Sequence, residues 1–414
     1  MLKEKIITQI GTTTSLQEDA LNHFNSLGFP TVKNEEWKYT NLLKWTKEDF
    51  DLQADEIHLP DYSSYLIEES YNLVVLINGV FQPTLSKIDS DIKVLSLEKA
   101  LASEKIAKEH FSKLVDYSKD GLAALNTAVA EDGLFIHVSK STTVENTVHI
   151  LNLTHSSNAL MSHPRILAVV EENAEARFVE THYSLGKEKT WNNIISEIYL
   201  KKSARLMWTK IQNDRLEDNV TVDNTFIHQE KDSTSNVYTF SLGGEMVRNN
   251  LNFRLDDEHI EANLSAATII NHDQHVDHHT FIDHAFPNCE SNENYKGVFD
   301  GNAKGVFNGK VIVRKDAQKT NAYQNNANVL LSDAASVDTK PQLEIFADDV
   351  KCSHGCTVGH QDDEALFYMR QRGLSRSQAQ GILNLAFVGE ITDSIKVDCL
   401  KNYVLELIAN KLNK

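Results

Sequence analysis

The stretch Asp349–His360 reads DVKCSHGCTVGH and gathers Cys352, His354, Cys356 and His360 within nine residues of a chain that has only four cysteines. On an extended strand, residues i, i+2 and i+4 share a side. Cys352, His354 and Cys356 would then present two thiols and an imidazole together, a soft surface suited to zinc or iron. A closed structural zinc site needs four ligands, normally with a second pair further along. Cys289 and Cys399 stand alone, and His360 could join only if the chain turned back. A disulfide switch between Cys352 and Cys356 lacks the C-x-x-C helix of redox proteins. The plainest local reading is two small packed thiols and a hydrogen-bonded histidine.

A second candidate is HDQHVDHH, in which His272, His275, His278 and His279 stand beside Asp273 and Asp277. Strand alternation would align His272 with His278 and turn His275 away, giving either a metal site or a polar rung whose charge changes below about pH 6.5. GNAKGVFNGKV fails as a phosphate loop: three residues separate Gly305 from Gly309, and Val311 follows Lys310 where a Ser or Thr is needed. ATP hydrolysis by this chain is not expected. No G-x-G-x-x-G follows a strand and no G-x-S-x-G elbow is present. The acids Asp256, Asp257 and Glu258 form one run, more like a solvated turn than the cleft pair of a carbohydrate enzyme.

The elements that must position these residues fall into three zones. Residues 1–132 show helical spacing, as in Leu16, Ala20, Leu21 and Phe24, with further helices from Leu97 and in DGLAALNTAVAEDG, and a hairpin around Asn78-Gly79. Residues 133–358 read as short alternating strands with almost no proline. A polar residue followed by alanine recurs at Asn173-Ala174, Ser203-Ala204, Asn302-Ala303, Asp316-Ala317 and Asp333-Ala334. Such corners suit a β-solenoid, in which each coil buries its inward row against the next. Residues 359–414 are helical again. Gly373 ends one helix, Ser375 and Gln378 form a capping box for the next, and Leu400, Val404, Leu407 and Ile408 make an apolar stripe. These helices would either cap an open solenoid end or offer a groove to a partner.

With 414 residues and a formal charge of −18, the chain is poorly suited to nucleic acid or anionic membrane. Few cysteines, no apolar run near the roughly 20 residues of a membrane span, and no visible signal peptide fit a soluble cytoplasmic protein.

The run PNCESNENYKGVFDGNAKGVFNGKVIVRKDAQKTNAYQNNANVLLSDAASVDTKPQLEIFADDVKCSHGCTVG, followed by DDEALFYMRQRGL, resembles the SufB/SufD family of iron–sulfur cluster assembly proteins. EEWKYTNL (Glu35–Leu42) resembles the SufD pattern within it. The resemblance implies a mainly β fold, a right-handed parallel β-helix flanked by N- and C-terminal helical regions. It implies a non-catalytic scaffold that pairs with a SufB-like protein through the β-helix and binds a SufC-like ATPase through the C-terminal helices, at Leu366, Phe367, Arg370, Leu383 and Phe387. It also implies a transient Fe–S cluster at the SufB–SufD interface, with His354 as the functional histidine and Cys352 a weaker candidate. Cys356 stands where the family usually has a small non-thiol residue, so it is either a neutral core exchange or an added ligand. Cys289 matches the family's PNCES as a packed corner. No permanent metal is expected and nothing is expected to bind the isolated chain tightly. Reduced flavin in the complex and a homodimer of the lone chain are compatible with the resemblance. The competing expectations are a β-helix carbohydrate enzyme and a stand-alone metal-binding protein using the histidine cluster.

Overall fold

The computed structural model describes residues 2–12, 14–54, 61–67, 72–88, 91–130, 132–214 and 218–412. Among the described residues two ten-stranded sheets face each other across an interior with one large apolar cluster, and from Arg165–Val170 onward successive strands alternate between them. Pairing within each sheet is parallel except at the hairpin Asn72–Ile77/Val80–Phe81 and at Lys93–Ser96 against Leu134–Val138. The chain is therefore a parallel β-solenoid. Glu261, Glu290, Asn321 and Lys351 stack in register, so one coil takes 29 to 31 residues.

The corners explain why the sequence coils rather than folding into hairpins. Asn173, Ser203, Asp232, His259, His272, Asn288 and Lys319 take left-handed backbone angles, which short polar residues tolerate best. Alanines at or near these corners lie against the next coil: Ala174, Ala204, Ala303 and Ala317 are buried. At the fifth expected corner the slot falls one residue later, on Ala335, and Ala334 is exposed. Asn78 and Gly79, both at positive φ, make the tight hairpin expected there. Its first strand pairs in parallel with Val148–His155, so the solenoid's first sheet begins inside the N-terminal region.

Helices cover the two outer faces. The helix Ser15–Leu27 has a Thr14/Gln17 capping box. With Gly121–Val129 and the segment through Trp37 and Trp45, it packs on the outer face of the second sheet, on Trp191, Val220, Val222 and Met246. The expected helix from Leu97 breaks at Glu104 into Leu97–Ser103 and Lys105–His110.

The C-terminal helices are Asp363–Gln371, Arg376–Asp393 and Asp398–Leu412, and the Ser375/Gln378 capping box is formed. Val388, Ile391, Leu400, Val404 and Ile408 pack on Phe240, Ala267, Ile269 and Val298, the outer face of the first sheet. They do not cap the end of the stack. Among the described residues no helix is long and apolar enough to cross a membrane.

Candidate functional site

Among the described residues the last two strands, Ser336–Ile345 and Lys351–His360, each pair on one side only. Their free backbone edges form an open end, next to which Ile345, Phe346 and Val358 are exposed. Cys352, His354 and Cys356 lie on the inner side of the final strand. Cys352 is half-buried against the interior cluster, which raises its thiol pKa. His354 is exposed. Cys356 is half-buried, its sulfur 2.9 Å from the Thr339 hydroxyl on the facing strand.

The strand makes these three a row rather than a clamp. A rise of about 3.3 Å per residue separates Cys352 from Cys356 by roughly 13 Å along the backbone. That span is too long for a disulfide, and it prevents both sulfurs from reaching one ion. A neighbouring pair, about 6.6 Å apart along the strand, can share an ion but leaves the remaining coordination positions open.

Beneath His354 the register runs through one inward column: Phe178, Trp208, Val237, Leu264, Glu293, Gln324, His354. The column is apolar for four coils and polar for the last three. Glu293 is buried and accepts hydrogen bonds from the Thr280 hydroxyl and, at 3.0 Å, from Gln324 Nε2. Burial pushes its carboxyl pKa up to about 7. Because the folded-state pKa lies above the ordinary 4.5, this group's contribution to stability is full at low pH and declines as pH rises from about 4.5 through 7. Glu293→Gln is expected to flatten that decline and to stabilise the fold by about 2 kcal/mol at pH 8, read as urea midpoints at pH 5 and pH 8.

The four histidines do not converge. The chain turns at Asn271–Gln274, so His272 sits at a left-handed corner outside the strand and cannot align with His278. His278 points inward to Thr268 and Asn249, and burial lowers its pKa to about 4. His275 and His279 lie on the outer face and engage EEWKYTNL. Arg248 donates to the Glu36 carbonyl at 2.6 Å and to Asp277 at 2.8 Å, and its guanidinium stacks 3.9 Å from the Trp37 ring. Thr40 bonds Asp277 and, at 2.8 Å, His275. His279 lies 3.0 Å from Asp277 and 3.3 Å from Glu36; burial opposes its charge, but these carboxylates raise its pKa. The cluster thus clasps the N-terminal segment to the solenoid.

Sequence reading missed a buried group in mid-stack. Glu180, His182 and Asp223 offer ligand atoms within 4.8 Å of one another. The ammonium of Lys210 already fills the place of a cation, 2.6 Å from Asp223, 2.7 Å from the Thr225 hydroxyl and 3.4 Å from Glu180. Burial opposes the Glu180 charge, but Lys210, His182 and Trp208 hold its pKa down to about 2. The signal in the sequence is Phe178, Glu180 and His182 at alternate positions of one strand, whose polar members face inward.

Among the remaining candidates, Cys289 is a packed corner, its sulfur 3.1 Å from the Asp257 carbonyl. Cys399 is half-buried. Asp256 pairs with His228 and Arg254, and Glu258 lies 3.5 Å from Lys231, so this acidic run is occupied at corners of the coil. On the C-terminal helices Phe367, Tyr368, Arg370 and Ile382 are exposed. Leu366 is buried, Leu383 is half-buried, and Phe387 turns back onto the sheet under Lys296.

Two family models cover this architecture. Residues 152–387 match the SUF system FeS cluster assembly SufBD core domain, and residues 4–150 match the SufBD protein N-terminal region. The chain is 32% identical to an iron–sulfur cluster assembly SufBD family protein of Synechocystis sp., over 99% of this chain and 94% of that protein. It is 29% identical to the iron–sulfur cluster assembly protein SufD of Escherichia coli, over 97% and 94% of the two chains. It is 26% identical to that of Bacillus subtilis, over 96% and 93%. A stack of parallel coils between two helical regions, matched by both models and by relatives along nearly its whole length, belongs to the SufBD family of the SUF iron–sulfur cluster assembly system.

Proposed function

We propose that this chain is a non-catalytic scaffold subunit, working in the cytoplasm, on whose open solenoid end an iron–sulfur cluster is put together with a SufB-like partner. The observation that carries the reading is the unfinished ligand row on an unpaired edge strand. His354 and Cys352 supply part of a coordination shell for the nascent cluster, which is cargo rather than resident cofactor, and the partner supplies the rest. An incomplete set suits a cluster that must leave, because a closed tetrahedron would retain it. The free edges of Ser336–Ile345 and Lys351–His360 give the partner a template for strand addition. In the partner's absence, a second copy of this chain can occupy the same edges.

The exposed face formed by Phe367, Tyr368, Arg370 and Ile382 receives a SufC-like ATPase. Leu366, Leu383 and Phe387 support that face from below. Nucleotide-driven movement of the ATPase would reach the cluster site through the helices packed along the first sheet.

His354→Ala tests the assignment in the complex co-purified with its native SufB-like and SufC-like partners. The substitution touches an exposed side chain, so the complex should form normally while iron and acid-labile sulfide recovered per complex fall at least tenfold. Normal cluster content in that variant would remove His354 from the site.

A further inference from the structure

We propose that Gln324, held by Glu293 and given room by Gly309, is a positioning residue that fixes the tautomer and orientation of His354. The inference rests on the reading of His354 as a metal ligand.

Gln324 lies directly beneath His354 in the parallel register, one coil deeper, and is buried. The Gln324 nitrogen faces Glu293, donating at 3.0 Å to one carboxyl oxygen while the other accepts from the Thr280 hydroxyl. The amide oxygen is then the atom left over. Gln324 Oε1 is buried and has no hydrogen-bond partner. A buried acceptor without a donor costs about 1–3 kcal/mol, so a donor able to reach this oxygen gains by pairing with it. In this column the next side chain toward the open end is the imidazole of His354, a ring N–H donor.

The surrounding packing is cut to keep Gln324 in place. A Cβ on Gly309, in the facing strand, would lie 2.2 Å from Gln324 Nε2 and 2.8 Å from its Cδ. Only glycine leaves the width that the amide occupies. A rotation of the exposed His354 ring lets one ring nitrogen donate to this free oxygen, and the other then carries its lone pair outward from the open end, toward an ion held between two proteins. Carbonyl–histidine pairs of this kind orient ligating imidazoles and raise their basicity, and their loss typically weakens metal affinity 10–100-fold.

The test uses the full-length chain, ¹⁵N-labelled at histidine, with Co(II) as the probe. Ring-nitrogen shifts read the His354 tautomer, and paramagnetic broadening of the Lys351–Gly355 amides reads Co(II) binding. One tautomer should dominate in the native chain. Gln324→Met and, without touching the glutamine, Gly309→Ala should each give a mixture and weaken Co(II) binding 10–100-fold. Gln324→Glu, which keeps an acceptor under the ring, should retain the single tautomer. Native tautomer and affinity in both Gln324→Met and Gly309→Ala would overturn the proposal. Should those variants fail to fold, a mixed tautomer in the native chain alone would overturn it. His354→Ala separates the two levels: unchanged broadening in that variant, or none in the native chain, sinks the ligand reading itself rather than the role of Gln324.

Discussion

Lys210→Met is expected to cost the fold about 3–5 kcal/mol, because it removes one member of a buried ionic group and leaves the others. The methionine fills a similar volume, so packing contributes little to the loss. What remains is the carboxylates of Glu180 and Asp223 inside a solenoid, both fully buried, with one cation gone. In the native chain the depressed pKa of Glu180 contributes stability that is present above its ordinary 4.5 and lost as pH falls toward about 2. That contribution disappears in the variant. The gap between the two proteins should therefore be widest above about pH 5 and narrow toward pH 3. Urea unfolding across that range measures it. Adding Glu180→Gln and Asp223→Asn to Lys210→Met should recover most of the loss, and a gap that does not change with pH would refute the electrostatic account.

Glu197→Ala should cost a comparable 3–5 kcal/mol and act on a different joint. Glu197 is fully buried. Its carboxylate receives Arg165 Nη2 at 2.6 Å and the backbone N–H groups of Ser112, Lys113 and Leu114 at 2.8, 2.9 and 2.9 Å. Four donors thus converge on one side chain that joins the segment after the helix Lys105–His110 to the solenoid. Removal orphans all of them and strands Arg165, which is also fully buried beside Asn126 and Thr127. Limited proteolysis should then cut between Phe111 and Lys119 at a rate the native chain resists, and the unfolding midpoint should drop. Arg165→Met with Glu197→Gln should be far milder than Glu197→Ala, because no charge is left unpaired.

The solenoid was legible because its corners carry a local signal. A polar residue followed by a buried alanine is written in two adjacent letters, with the polar residue at a left-handed angle at Asn173 and Ser203, and the Cys352–His354–Cys356 row needs only strand alternation. The clasp was not legible. EEWKYTNL reads as a family likeness, yet its partner Arg248 lies 212 residues from Glu36. No window on the sequence brings them together. The histidines were misread because a strand was extended through a corner at His272, where the left-handed angle breaks the alternation. The interior charges were hidden for a third reason. In the strands holding Glu180, Lys210 and Asp223, alternation separates two faces but does not say which is the inside, and polar side chains face the core at these positions. Gln324 was invisible for the same reason, since its meaning lies in what stands one coil above and below it.

The inward column that runs through Phe178 and Trp208 to Glu293, Gln324 and His354 grades from apolar to polar toward the open end. In this column the early coils meet through aromatic and aliphatic contact, which favours the closed coil without needing a matched donor. Its late coils meet through hydrogen bonds that water can replace. In this column the end with the free strand edges is thus the part that opens at least expense, whereas the opposite end keeps the coil's shape. The open edge can therefore rearrange without unwinding the coils behind it.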